Sequence, residues 1–214
     1  MAISAQQRQK KLAKKNQKRK LVKKILKSVQ QPSNKASSFA SLPIHEVLVP
    51  SSLFTLGIGN LVLSRQAPSG MIACSSFIVD VFCLGVKDAF FTLLDQETYH
   101  QKFRHSIEMN LGNGTLENVH PSCLKKIIVN AVDYAKQYGF TPHKDYHRSI
   151  GLLDSIDASA CPVSYEYGKD GQPYFIQGPN ETPAQIKKIL TTLEKHCGKE
   201  GFHATLGRGD LFDM

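Results

Sequence analysis

The chain lacks several features that mark well-known protein classes. It contains no tryptophan, no C-x-x-C pair and no apolar run as long as the roughly 18 residues that a membrane-spanning helix needs. The first residues lack the apolar stretch of a secretory leader. No G-x-x-x-x-G-K-[ST] phosphate loop and no H-E-x-x-H zinc motif occurs. These absences predict a cytoplasmic protein without a transmembrane helix, and they disfavour nucleotide binding by a familiar loop.

The cysteines are an odd number, and they are Cys74, Cys83, Cys123, Cys161 and Cys197. Three of them lie in apolar strand or helix patterns, whereas a disulfide framework or a zinc site calls for pairs at characteristic spacings. We therefore expect reduced, buried thiols, as in a cytosolic protein, and no metal site. The sequence identifies no cofactor.

Acidic residues are missing from the first 35 positions, where twelve Lys and Arg residues stand. The rest of the chain carries 15 basic and 18 acidic residues, so the net charge of +9 resides in the N-terminal segment. A segment this polar cannot bury enough apolar surface to fold alone. We predict a basic, disordered or partly helical tail and linker over residues 1–41, and one globular domain over residues 42–214.

Residues 18–29 place their apolar side chains on one helical face, which predicts a basic amphipathic helix. This segment is compatible with binding to RNA or another polyanion, with contact to an anionic membrane surface, and with a solvated tail that has no specific partner. No aromatic residues interleave the charges, so binding would involve the phosphate backbone and not the bases. The preferred hypothesis is a non-catalytic, polyanion-binding arm whose charges are Arg8, Lys10, Lys11, Lys14, Lys15, Lys18, Arg19, Lys20, Lys23, Lys24 and Lys27.

Residues 57–91 form the longest apolar stretch and are predicted to be a hairpin that turns into a helix over residues 87–109. Asp80 lies inside the second strand among apolar neighbours. A buried carboxylate needs a partner or takes up a proton, and Lys87 is the nearest cation in the sequence. Asp80 is therefore either half of a structural ion pair, or a capping residue, or a catalytic or metal-binding carboxylate.

A second candidate site follows a helix that the apolar periodicity predicts over residues 121–138. The run His143-Lys144-Asp145-Tyr146-His147 is compatible with a metal or acid–base cluster, and equally with a loop that caps the next helix. The alternative function is thus a metal-assisted hydrolase or nuclease that uses Asp80, Lys87, His143, Asp145 and His147. Whether the chain catalyses any reaction stays open at this level.

The C-terminal part alternates tyrosines with polar residues on either side of Asp170-Gly171, which predicts a second hairpin. A capping box at Thr182 and Gln185 opens a further helix, and residues 202–206 read as a short strand. Four aromatic side chains of the hairpin serve either cross-strand packing or base stacking: Tyr165, Tyr167, Tyr174 and Phe175. The order of elements predicts an α+β fold, with an antiparallel sheet built from two hairpins and helices packed mainly on one face.

Three strings of this sequence resemble those of a family of uncharacterised bacterial proteins. They are FIVDVFCLGVKDAFF at residues 77–91, AVDYAKQYGFTPHKDY at residues 131–146 and YGKDGQPYFIQGPN at residues 167–180. The resemblance spans residues 53–203 and leaves out the basic N-terminus. It implies the extent of the domain, and it carries over no activity and no catalytic residue.

Overall fold

The computed structural model describes residues 36–111 and 114–207. The predicted basic helix over residues 18–29, with all eleven candidate polyanion-binding side chains, lies outside the described residues. The first element of the described residues is a short 3-10 helix, Ala36–Phe39, and the side chain of Ala36 is fully buried. Ala36 belongs to the hydrophobic core, although it lies on the N-terminal side of the predicted boundary at residue 42.

A five-stranded antiparallel sheet of order β4-β3-β2-β1-β5 is the centre of the fold, as the α+β prediction requires. Its strands are β1 (Ile44–Pro50), β2 (Ile58–Gln66), β3 (Ile72–Asp80), β4 (Gly85–Leu94) and β5 (Leu116–Asn118). The predicted hairpin of β2 and β3 is present, and Leu61 pairs with Phe77 in its middle. Both side chains are fully buried, so the middle of the hairpin is covered by the core.

The predicted helix over residues 87–109 is wrong in its first half. Gly85, at a φ of 67°, turns the chain back along β3 and into β4. A Cβ at this position would lie 2.9 Å from the carbonyl oxygen of Ala131, so only glycine fits the turn. β4 then pairs with β3 over its whole length, and this long-range pairing overrides an apolar pattern that also suits a helix.

The helical part of that stretch starts after Asp95, whose side chain accepts a hydrogen bond from the Thr98 N–H at 2.8 Å. We name it α2; it consists of Gln96–Thr98, the π-helix Tyr99–Arg104 and His105–Glu108. A short helix α1 (Leu53–Leu56) precedes β2. Tyr99 contacts Ser64, which alternates with core residues along β2, so α2 covers the opposite face of the sheet. One helix thus lies on the second face, whereas the helices of the main core pack together on the first, as the prediction of helices mainly on one face has it.

The main core lies between the sheet and α3 (Pro121–Gln137), the helix that the periodicity predicts. His120 caps α3, because its Nδ1 accepts a hydrogen bond from the Ser122 N–H. Leu124, Ile127 and Ile128 pack from this helix onto the sheet. The shorter α4 (Tyr146–Ile150) packs on β3 and β4 and continues into a 3-10 turn, Gly151–Leu153.

A second, smaller core holds residues of β6 (Tyr174–Ile176) and α5 (Pro183–Cys197), together with Phe202 and Leu206 on either side of β7 (His203–Thr205). The capping box of α5 and the strand β7 are as predicted. The predicted second hairpin does not form. The Asp170-Gly171 turn closes only a single bridge, between Lys169 and Gln172, and β6 pairs in parallel with β7. The main sheet is therefore a four-stranded meander with β5 added, and it is not built from two hairpins.

The prediction that all cysteines are free is wrong for one pair. Cys123 in the first turn of α3 forms a disulfide with Cys161, with 5.0 Å between their Cα atoms. Cys74 and Cys83 are free and buried, as expected. None of the helices in residues 36–111 and 114–207 has the length and apolar character that crossing a bilayer requires.

Candidate functional site

Asp80 ends β3 and is 94% buried. Its Oδ1 accepts hydrogen bonds from the N–H groups of Phe82 and Cys83, at 3.0 and 2.9 Å, in the turn that leads into β4. Burial raises the pKa of Asp80 to about 6, against the opposing effects of the Lys87 ammonium and the turn's backbone N–H groups. The predicted partner requirement is thus met mainly by backbone donors, and Asp80 caps the tight turn.

Lys87 does not form the predicted direct ion pair with Asp80. It is the extra residue of a β-bulge, because Val86 pairs with Val79 and Asp88 pairs with Ile78, which leaves Lys87 without a partner in the ladder. A bulge changes the direction of the side chain at the extra residue, and the Lys87 ammonium here forms an ion pair with Glu181.

Glu181 is the residue that the sequence analysis missed. Its Oε1 accepts the hydrogen bond from Lys87, while its Oε2 is buried without a hydrogen-bond partner among the described residues. Gly178 closes over this carboxylate, since a Cβ there would lie 2.6 Å from Oε2. The only local signal was an acidic residue directly before the capping box of Thr182. Asp80, Lys87 and Glu181 form one electrostatic group between the main sheet and α5.

His143 belongs to a second group. Its backbone N–H donates to the Val86 carbonyl at 2.9 Å, which fixes the segment against β4. Its Nδ1 accepts from the Asp145 N–H at 3.3 Å and lies 3.6 Å from Asp88 Oδ1 and 3.8 Å from Asp145 Oδ2. The predicted neighbours His143 and Asp145 are therefore together, and Asp88 joins them from β4. An imidazole between two carboxylates is an arrangement that acid–base chemistry uses.

His147 lies on α4, is exposed and packs edge-on against Tyr146, with 5.1 Å between ring centroids. The five predicted residues therefore fall into two groups: Asp80 and Lys87 interact electrostatically, His143 lies beside Asp145, and His147 belongs to neither group. Across residues 36–111 and 114–207, no three His, Cys, Asp or Glu side chains are placed to hold a metal ion.

A buried polar network under α2 also escaped the sequence analysis. Tyr99 is fully buried, and its hydroxyl donates to Glu46 Oε2 at 2.8 Å and lies 3.0 Å from Ser64 Oγ. Arg104, from the same π-helix, places Nε 3.4 Å from Glu46 Oε1. Burial raises the pKa of Tyr99, so the phenol stays neutral and donates. The sequence feature that could have indicated this network is Ser64, a polar residue inside the apolar strand β2, just as Asp80 is a polar residue inside β3.

The four aromatic residues of the predicted second hairpin occupy two kinds of environment, the packed interior and the walls of surface clefts. Tyr167 donates its hydroxyl to the Ile127 carbonyl, and Phe175 is fully buried, so both serve packing. Tyr165 and Tyr174 instead line two clefts of about 360 Å³ each, on either side of the turn at residues 169–171. Comparisons with protein-family models, with curated proteins and with solved structures found no match for this chain.

Proposed function

We propose that this protein is a non-catalytic binder of RNA or another polyanion, and that its basic N-terminal segment makes the contact. The observation that carries the proposal is the charge distribution: twelve basic and no acidic residues in the first 35 positions, against 15 basic and 18 acidic residues in the rest. Basic residues that neutralise phosphates release condensed counterions, which supplies sequence-independent affinity. The mildly acidic remainder offers no comparable attraction.

The test is binding of a generic single-stranded RNA as a function of salt, for the full chain and for a chain without residues 1–35. We expect the full chain to bind with an affinity that falls steeply as salt rises, by a slope of about −0.7 per phosphate contact in the log–log plot. The truncated chain should bind far more weakly and with a flatter slope. Equal affinity of the two chains contradicts the proposal.

A membrane surface is the competing partner, because the apolar face of residues 18–29 suits an interfacial helix. The two partners are distinguished by co-sedimentation of the protein with vesicles that contain neutral lipid and about one third anionic phospholipid, in the presence and absence of RNA. Under our proposal RNA displaces the protein from such vesicles at equal phosphate concentration. Retention on the vesicles in excess RNA favours the membrane instead.

The proposal places the protein in the cytoplasm, where thiols are kept reduced. The Cys123–Cys161 disulfide makes this placement testable. Rapid alkylation of thiols in intact cells, followed by mass spectrometry, should find this pair reduced if the protein resides there. A disulfide that is quantitatively formed in the cell contradicts the cytoplasmic placement.

The second candidate function is a metal-assisted hydrolase or nuclease. The observation in its favour is His143 between the carboxylates of Asp88 and Asp145. Under this hypothesis, RNA cleavage in the presence of Mg²⁺ or Mn²⁺ is lost in His143→Ala. The control is His196→Ala, which changes an exposed histidine on α5. Identical RNA integrity with and without the protein eliminates this candidate for RNA as substrate.

A further inference from the structure

We propose that the two aromatic clefts beside residues 169–171 bind two consecutive nucleotides of single-stranded nucleic acid, with Lys169 against the phosphate between them. The proposal rests on the proposed function for the class of partner. Its location rests on the geometry of the folded body alone. It adds base stacking to a protein whose basic segment has no aromatic residues between its charges.

The first cleft is walled by rings from three separate elements. Phe54 of α1 stacks face to face on Tyr165, with 5.1 Å between centroids and 7° between planes, and Phe82 closes the cleft from the turn after β3. Tyr165 is half-buried, so its ring remains partly accessible. A stacked pair held in this way presents a flat surface that is already ordered, and a base can add to it at little entropic cost.

The second cleft lies across the turn and has the same volume. Tyr174 and His203 line it, with ring centroids 6.3 Å apart. Tyr174 also stacks on Phe82 at 6.1 Å, so one aromatic wall continues from the first cleft into the second. Lys169 lines both clefts, and its Nζ lies 5.0 Å from the centroid of the Tyr174 ring.

This combination fits single-stranded nucleic acid better than a purely apolar ligand. Stacking on aromatic side chains accepts every base, and the cation shared by the two clefts complements the charge of a bridging phosphate. Glu166 and Asp170 also line the first cleft, and their carboxylates can accept hydrogen bonds from the exocyclic amines of bases. A base-paired duplex keeps its bases stacked on one another and cannot enter either cleft.

The experiment compares two polyanions on the full chain: a single-stranded adenine decanucleotide and a polyphosphate of equal charge. We expect Tyr165→Ala to raise the Kd for the oligonucleotide by about 5- to 150-fold, the range that loss of one stacked base gives. The affinity of Tyr165→Ala for polyphosphate should equal that of the wild type. Val163→Ala removes a neighbouring exposed side chain and should bind both like the wild type. Tyr165→Leu keeps the apolar bulk without the flat ring, and it replaces the alanine variant if that one unfolds.

The outcomes separate this proposal from the proposed function. If the wild type binds both polyanions and both Tyr165 variants bind the oligonucleotide as tightly as the wild type does, the clefts do not bind bases. Binding is then due to the basic segment alone. A parallel loss of both ligands in Tyr165→Leu also overturns the clefts, because only the base, and not the phosphate, contacts the ring. If replacing the basic residues with glutamine leaves binding of both ligands unchanged, the proposed function itself fails.

Discussion

Lys87 and Glu181 form an ion pair that joins the bulge of β4 to the residue before the cap of α5. The two residues are 94 positions apart, and their side chains are only 21% and 12% exposed. The pair therefore links the main core to the smaller one through charges that are partly shielded from water.

Removal of one partner should destabilise the protein, because the other charge remains buried and uncompensated. We expect Lys87→Gln to lower the free energy of unfolding by about 1–3 kcal/mol in urea titrations, since the pair is only partly screened by solvent. Lys199→Gln is the matched control: the Lys199 side chain is 84% exposed and its Nζ lies 3.6 Å from Glu194, so loss of this pair should cost less than about 0.5 kcal/mol. Equal effects of the two substitutions contradict a structural role for the Lys87 pair.

The raised pKa of Asp80 predicts a definite pH dependence. The folded state holds the Asp80 proton up to about pH 6, whereas the unfolded chain releases it near pH 4, so stability falls as pH rises through this window. Asp80→Asn does not titrate and keeps the acceptor for Phe82 and Cys83. The variant's stability relative to the wild type should therefore increase by about 2 kcal/mol between pH 4 and pH 7.

Asp95→Asn is the control of opposite sign. Hydrogen bonds from the Thr98 N–H and hydroxyl lower the pKa of Asp95, so its stabilising effect is lost as pH falls. The stability difference between Asp80→Asn and the wild type should grow from pH 4 to pH 7, whereas the difference between Asp95→Asn and the wild type should change only as pH falls below about 4, where Asp95 takes up its proton. A difference for Asp80→Asn that stays constant with pH contradicts burial of a titrating carboxylate.

The Cys123–Cys161 disulfide predicts three titratable thiols in the denatured, oxidised protein and five after reduction. Because the bond closes a loop across 38 positions, reduction should lower the free energy of unfolding by about 4 kcal/mol in the chain-entropy treatment. The double variant Cys123→Ser and Cys161→Ser should be equally destabilised and insensitive to reductant. Five thiols without reductant contradict the bond.

The network under α2 predicts coupling between Tyr99 and Glu46. Tyr99→Phe leaves the ring in place but removes the donor to the carboxylate, which costs about 1.5–3 kcal/mol for a hydrogen bond to a charged group. In a double-mutant cycle with Glu46→Gln, we expect a coupling energy of about 1 kcal/mol or more. Strictly additive effects show that the hydrogen bond contributes nothing.

Local signals were enough to predict some elements. α3 and α5 have a stripe of apolar residues, a cap and, in the case of α5, a Thr182–Gln185 capping box, all within one segment. The β2–β3 hairpin has two apolar strands around a short turn. In each case the residues that decide the structure are close together in the sequence.

Long-range pairing decided the rest. Phe90, Phe91 and Leu94 suit a helical face as well as a strand, and only the register with β3 makes β4 a strand. The same applies to the site. Asp80 was identified because it interrupts an apolar run, but Glu181 pairs with Lys87 and Tyr99 with Glu46 across 94 and 53 positions, which no local pattern reveals. Sequence periodicity reports burial, and it does not report which strands meet.

The central claim concerns the charges of the N-terminal segment, and one measurement tests it most directly. All eleven basic residues from Arg8 to Lys27 are replaced by glutamine in one full-length variant, and the nine lysines among them by arginine in another. RNA affinity is then measured against salt concentration. We predict that the arginine variant keeps the wild-type slope and that the glutamine variant loses most of both affinity and slope. A glutamine variant that binds RNA like the wild type contradicts the account.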